Sequence, residues 1–78
     1  MTLDQTPVGK RVRILSLSHT GAMRRRLQEI GLTPNTTVEC VGKSPGGDPL
    51  AYLIRGAVIA IRADDGRGVE VDEGDTWD

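Results

Sequence analysis

Residues 22–36 read A-M-R-R-R-L-Q-E-I-G-L-T-P-N-T, and this stretch decides the fold because it has the one clear helical period in the chain. Met23, Leu27 and Ile30 recur at the spacing that places side chains on one face of a helix. We therefore expect these three side chains to pack in the core. Gly31 then stands where a residue with positive φ commonly ends a helix.

The boundaries of this helix are also marked in the sequence. Leu32 supplies the apolar residue that often accompanies a glycine cap, and Pro34 prevents the helix from resuming. Asn35 tolerates the positive φ of a tight turn. At the other end, the side chain of either Ser18 or Thr20 is expected to cap the first turn, and the sequence alone does not choose between them.

Three consecutive arginines occupy the amino-terminal half of the helix, where the helix dipole disfavours cations by a few tenths of a kcal/mol each. This misfit suggests a contact surface for a partner. The alternative for the arginines is a solvated helix face with an Arg25–Glu29 ion pair. The alternative for Leu27 is a position in the core. The predicted partner-binding residues are Arg24, Arg25, Arg26, Leu27 and Gln28.

Composition indicates one small domain with a thin aliphatic core. The 78 residues include no Phe, one Tyr and one Trp, and 37% are hydrophobic. Residues 1–43 carry an excess of cations and residues 44–78 an excess of acids, for a net charge of −1. With a pI of about 5.7 and only Tyr52 and Trp77 as aromatic residues, the sequence argues against nucleic-acid binding.

The sequence lacks the features of a membrane-spanning or secreted protein. No run approaches the roughly 20 apolar residues that a membrane span requires, and residues 1–7 do not resemble a secretory signal. The single cysteine, Cys40, excludes an internal disulfide and fits a reducing cytosol. We therefore expect a cytoplasmic protein that does not itself span a membrane.

Short apolar runs bounded by turn residues predict a mainly β fold. Residues 44–49 are dense in turn formers, Gly56 supplies the positive φ of a tight hairpin, and residues 63–68 read as a turn or one helical loop. The acidic residues 72–78 are expected to fray. The five predicted strands are residues 11–17, 37–43, 50–55, 57–62 and 69–71. They favour a small five-stranded barrel with one short α-helix after the first strand, in a single domain of residues 1–73 with a flexible acidic tail, 74–78.

The sequence offers little to catalysis. His19 has no supporting triad motif, and Cys40 lies in a predicted strand, where a buried thiol is usual. No C-x-x-C or H-x-x-x-H pattern is present, so a closed zinc site within one chain is not expected. The remaining metal candidates are His19, Asp64 and Asp65, with ligands from a second chain as one way to complete a site.

Taken in order, the motifs resemble the ferrous iron transport protein A (FeoA) family over about residues 6–73. The matching segments are R-R-L at 25–27, E-I-G-L at 29–32, P-N-T at 34–36, P-x-G-D-P at 45–49 and A-I-R at 60–62. Two departures are Asn35, where the family commonly has Gly, and residues 64–68, where it has helix formers. The structural motif residues are Gly31, Pro34, Asn35, Gly47, Asp48, Pro49 and Gly56.

The resemblance implies an SH3-like fold and a small non-enzymatic accessory of ferrous iron uptake. Its partner would be the cytosolic part of a FeoB-type membrane GTPase transporter. The alternative is a metal-responsive regulatory domain of the DtxR carboxyl-terminal type, which would use His19, Cys40 or the carboxylates at Asp64 and Asp65 to bind Fe(II), Mn(II) or Zn(II). A thin core with exposed strand edges also favours weak self-association.

Overall fold

The computed structural model describes residues 1–73, so the predicted flexibility of residues 74–78 lies outside the described part of the chain. A 3₁₀ helix at Leu3–Gln5 precedes the first strand. The elements that follow are β1 (Arg11–Leu17), α1 (Gly21–Glu29), β2 (Thr37–Lys43), β3 (Leu50–Ile54), β4 (Ala57–Ile61), α2 (Ala63–Gly66) and β5 (Val69–Glu73).

The five strands form one antiparallel sheet in the order β4-β3-β2-β1-β5. The predicted mainly β class with one short helix after the first strand is confirmed, but the sheet is open, with β4 and β5 as its edges. Register shifts occur between β1 and β5 and between β2 and β3, whereas β3 and β4 pair without interruption. The residues predicted as a turn or helical loop form the short helix α2.

The core lies on one face of the sheet and is almost wholly aliphatic, as the composition predicts. Tyr52 is fully buried, and its hydroxyl donates a hydrogen bond to the Leu3 carbonyl oxygen at 3.1 Å. Leu3 itself is fully buried in the amino-terminal 3₁₀ helix, which the sequence analysis did not predict. The buried apolar residues are Leu3, Val12, Ile14, Leu17, Leu27, Leu32, Val38, Cys40, Leu50, Tyr52, Ile54, Ile61, Val69 and Val71.

The carboxyl end of α1 has the predicted glycine cap. The Leu32 amide donates to the Leu27 carbonyl at 3.0 Å, and the Gly31 amide donates to the Gln28 carbonyl at 3.0 Å. Together with the φ of 111° at Gly31, these two bonds form a Schellman motif. Leu32 and Leu27 are both buried, so the apolar pair that accompanies this motif joins the helix end to the core.

Two turns also follow the sequence prediction. Asn35 has a φ of 72°, and its amide donates to the Ile14 carbonyl at 2.8 Å while Thr36 accepts from the Ile14 amide at 2.9 Å. The turn after α1 is thereby held against β1. Between β3 and β4, Arg55 and Gly56 have φ values of 49° and 83°, as a two-residue hairpin with a primed turn requires.

Three expectations were wrong. Thr20 occupies the cap position at the start of α1 but makes no side-chain hydrogen bond there, and the Ser18 hydroxyl donates instead to the Gly68 carbonyl at 3.1 Å. Residues 72 and 73 do not fray. Asp72 forms an ion pair with Arg13 at 3.4 Å, and Asp72 and Glu73 both belong to β5. Met23 is 37% exposed rather than buried, and Leu27 is the buried residue of α1.

Candidate functional site

Arg24 has a structural contact that explains its place near the start of α1. Its Nη1 donates a hydrogen bond to the Leu17 carbonyl oxygen at 2.7 Å and lies 3.4 Å from the His19 carbonyl oxygen. These carbonyls belong to the end of β1 and the connection to α1, where no side chain caps the helix. The half-buried guanidinium thus ties the first turn of α1 to the strand, which offsets the unfavourable helix dipole.

The other predicted partner-binding residues divide by exposure. Arg25 and Arg26 are exposed on α1, and Gln28 is half-buried. Leu27 is 5% exposed and belongs to the core cluster, as the alternative for this residue anticipated. Of the predicted partner-binding residues, Arg25 and Arg26 are therefore the most available to another protein, and Met23 of the same helix is partly exposed beside them.

A groove of about 560 Å³ runs between α1, β4 and α2. Its apolar lining comes from both sides, with side chains of α1 facing those of β4. Arg26 and Arg62 contribute positive charge, while Asp64 and Asp65 contribute negative charge from the start of α2. The apolar side chains that line it are Met23, Leu27, Ile30, Ile59, Ala60 and Ile61. The groove thus combines apolar side chains with charged groups of both signs, as the contact surface for a protein partner does.

The predicted structural motif at 47–49 holds α2 beside this groove. The Asp48 carboxylate oxygen Oδ1 accepts a hydrogen bond from the Ala63 amide at 3.0 Å, at the amino end of α2. The Gly47 amide donates to the Ser44 carbonyl at 2.7 Å, and the Asp48–Pro49 peptide is cis. A carboxylate from a distant loop therefore caps the first turn of α2, where it also complements the helix dipole.

The metal candidates are not brought together. Asp64 accepts a hydrogen bond from the Arg67 guanidinium, and Asp65 lines the groove. His19 packs against Gly68, with its Nδ1 atom buried and without a hydrogen-bond partner among residues 1–73. Cys40 is buried in β2. In the described part of the chain, no group of three or more His, Cys, Asp or Glu side chains could hold a metal ion, so these residues do not form a ligand set.

Sequence reasoning missed the groove and the role of Arg24 because both depend on contacts between distant segments. Ile59 and Arg62 lie more than 30 positions after Met23, and nothing local links them. One feature of the sequence does point to an exposed apolar surface on α1. Met23 is the residue of the apolar helix face that lies nearest the start of the helix, where α1 is least covered.

None of the helices in residues 1–73 is long and apolar enough to cross a lipid bilayer.

The open five-stranded sheet with a short helix after β1 places the molecule among small SH3-like domains. A family model described as the FeoA domain matches residues 1–73. The chain belongs to the FeoA family, which is associated with ferrous iron transport. The resemblance seen in the sequence motifs is thereby confirmed.

Two solved FeoA structures illustrate the relationship. FeoA from Chlorobium tepidum is 28% identical, with a TM-score of 0.85, over 100% of this chain and 81% of that one. FeoA from Stenotrophomonas maltophilia, solved with zinc, is 33% identical, with a TM-score of 0.81, over 92% of this chain and 89% of that one. That protein is described as an SH3 domain protein and a candidate activating factor for bacterial ferrous iron transport.

A more distant likeness concerns the fold alone. ScaR with bound Cd²⁺ is 14% identical, with a TM-score of 0.81, and the match covers 94% of this chain but 35% of that one. No curated protein sequence matches this chain. The family match over residues 1–73 therefore favours the iron-transport assignment over a regulatory domain of the DtxR type.

Proposed function

We propose that this chain is a non-enzymatic accessory of ferrous iron uptake that binds the cytosolic part of a FeoB-type membrane GTPase transporter. The observation that carries this proposal is the groove between α1 and β4, with Arg25 and Arg26 exposed on the same helix. Membership of the FeoA family supports the iron-uptake context. Because the GTPase domain of such a transporter is cytosolic, the chain would act in the cytoplasm.

The groove and the arginines would make different contributions to binding the transporter. Met23, Ile30 and Ile59 offer apolar surface to a partner side chain, which supplies affinity through its burial. Arg26 lies at the border of the groove, and Arg25 is exposed beside it in the sequence of the same helix. Such charges mainly raise the rate of encounter and set orientation. The docking surface of the partner is therefore expected to present an apolar anchor beside acidic side chains.

A non-enzymatic role agrees with the chemistry of the described residues. The single cysteine, Cys40, is buried within β2, and the single histidine, His19, lies in the connection between β1 and α1. Binding of Fe(II), Mn(II) or Zn(II) as a cofactor stays a prediction. Within residues 1–73 the side chains of His19, Asp64 and Asp65 are not clustered, so a site that uses any of them would need ligands from outside this part of the chain or from a second molecule.

Capture of the FeoB cytosolic domain by the purified chain tests this function. The variant R25E/R26E is expected to bind about tenfold more weakly, a loss of about 1.4 kcal/mol, because two exposed positive charges on α1 are reversed while folding is untouched. Arg24 is kept, since its substitution would also remove the contact with the Leu17 carbonyl.

The matched control is R11E/K43E, which reverses two exposed cations on β1 and β2 and makes the same change in net charge. Because R11E sets a glutamate opposite Glu39, the circular dichroism spectrum of this control must first show that it folds. We expect the control to bind as the wild-type chain does. If both variants bind the FeoB cytosolic domain equally weakly, the effect comes from overall charge. Unchanged capture by R25E/R26E would show that the arginines are not part of the docking surface. A wild-type chain that captures no transporter would contradict the proposed function itself.

A further inference from the structure

The two edges of the sheet differ in how they are covered. Along β5, the Val71 amide donates to the Met1 carbonyl at 2.8 Å, and Thr2 forms an isolated bridge with Glu70. The Met1 ammonium group also lies 2.8 Å from the Glu70 carboxylate. Within residues 1–73, no segment pairs with β4 on the side away from β3. The backbone groups on that side of β4 are therefore open to another strand.

Nothing in the sequence of β4 protects this edge. Residues 57–61 read A-V-I-A-I, without a charge, a proline or a glycine, and their pairing with β3 has no bulge. Edge strands of soluble monomers commonly use one of those devices to prevent association. Val58 is 66% exposed and lies directly opposite Leu53 of β3, which is 37% exposed, so an apolar strip accompanies the open edge.

We propose that two copies of this chain pair through β4 in an antiparallel arrangement, which joins their sheets into one of ten strands. A two-fold axis at Ile59 sets Val58 of one copy opposite Ala60 of the other, and Ala57 opposite Ile61. This interface uses the same patch on both molecules and closes after two copies. Because Ile59 also lines the groove between α1 and β4, this pairing would compete with transporter docking there.

The charges at the two ends of β4 favour a second copy in this orientation. Arg55 lies just before the strand, and Arg62, Asp64 and Asp65, which together carry a net charge of −1, lie just after it. In the antiparallel register Arg55 of one copy is level with Ala63 of the other, beside those two acids. A parallel arrangement would instead place like charges together. Five residues span about 17 Å, so the interface belongs to the small, transient class.

Sedimentation of the full chain from about 10 μM to 1 mM tests the pairing. The wild-type chain is expected to shift from monomer to dimer across this range. In V58K the two lysines would lie about 7–8 Å apart across the axis, so dimerisation should weaken at least tenfold. Because Val58 is exposed, V58K should fold normally, as its circular dichroism spectrum would show.

The matched control is V8K, the same substitution at another exposed valine. Val8 is 56% exposed and precedes β1, away from β4. It should dimerise as the wild-type chain does. A wild-type chain that stays monomeric at 1 mM overturns the proposal, as does a dimer that survives V58K or is lost equally in V8K. Amide exchange gives a second readout, since β4 amides should exchange more slowly at 1 mM than at 10 μM, and unchanged rates would count against the pairing.

Discussion

Gly31 lies where α1 ends against the hairpin of β3 and β4, and two separate requirements act on it. Its φ of 111° is unfavourable for any residue with a Cβ atom. A Cβ atom there would also lie 2.7 Å from Cγ2 of Ile54, which is buried and has little freedom to move. At Gly46 the first requirement holds, with a φ of 86°, but the second does not, because a Cβ atom would meet nothing within 4 Å.

The two glycines therefore separate backbone strain from steric exclusion. Gly31→Ala is expected to lower the free energy of unfolding by about 2–4 kcal/mol, as strain and overpacking combine. Gly46→Ala should lower it by about 1–2 kcal/mol, through strain alone. Urea denaturation of both variants measures the difference. Equal losses would show that the contact with Ile54 relaxes without cost and that only φ matters at Gly31.

At the scale of the elements, the sequence predicts what neighbouring residues determine. The glycine cap after α1 and the Arg55–Gly56 hairpin follow from local turn chemistry, and all five strands lie within a few residues of their predicted positions. The groove could not be predicted, because it exists only when β4 is brought beside α1. For the same reason the sequence does not separate Arg25 and Arg26 from Arg24, whose bond to the Leu17 carbonyl depends on the tertiary fold.

The cap on α2 is an element-scale contact between distant segments. Replacing Asp48 by Ala removes the acceptor for the Ala63 amide, and we expect a loss of about 1 kcal/mol in the free energy of unfolding. Asp48→Asn is the matched control, since its side-chain oxygen still accepts this bond and should lose only a few tenths of that value. Amide exchange at Ala63 should accelerate in the alanine variant alone. An Ala63 amide that exchanges at the same rate in all three proteins would contradict the cap.

Across the whole molecule, the first residues connect parts of the fold that are far apart in sequence. Leu3 is buried in the core, and its carbonyl accepts a hydrogen bond from the Tyr52 hydroxyl on β3. The Asp4 carboxylate lies 3.8 Å from Nε of Arg67, just after α2. The amino-terminal 3₁₀ helix thus contacts both β3 and α2, so it belongs to the domain rather than preceding it.

This connection predicts how stability depends on alkaline pH. Burial raises the pKa of Tyr52 well above its ordinary value of about 10. Below pH 10 both the folded and unfolded chains hold the phenol proton, so its contribution to stability is fully present. Above pH 10 only the unfolded chain releases this proton, and the free energy of unfolding should fall by about 1.4 kcal/mol for each further pH unit until the raised pKa is reached.

The variant Y52F isolates this effect, because it keeps the buried ring and removes the ionising group. At pH 8 it should be less stable than the wild-type chain by about 1 kcal/mol, through loss of the bond to the Leu3 carbonyl. Urea denaturation from pH 8 to 11.5 should then show the wild-type curve falling more steeply, with the two proteins equally stable near pH 11. Other groups that titrate in this range affect both proteins alike. Curves that run parallel throughout would mean that the Tyr52 hydroxyl reaches solvent in the folded chain, and that the amino-terminal 3₁₀ helix does not close over β3.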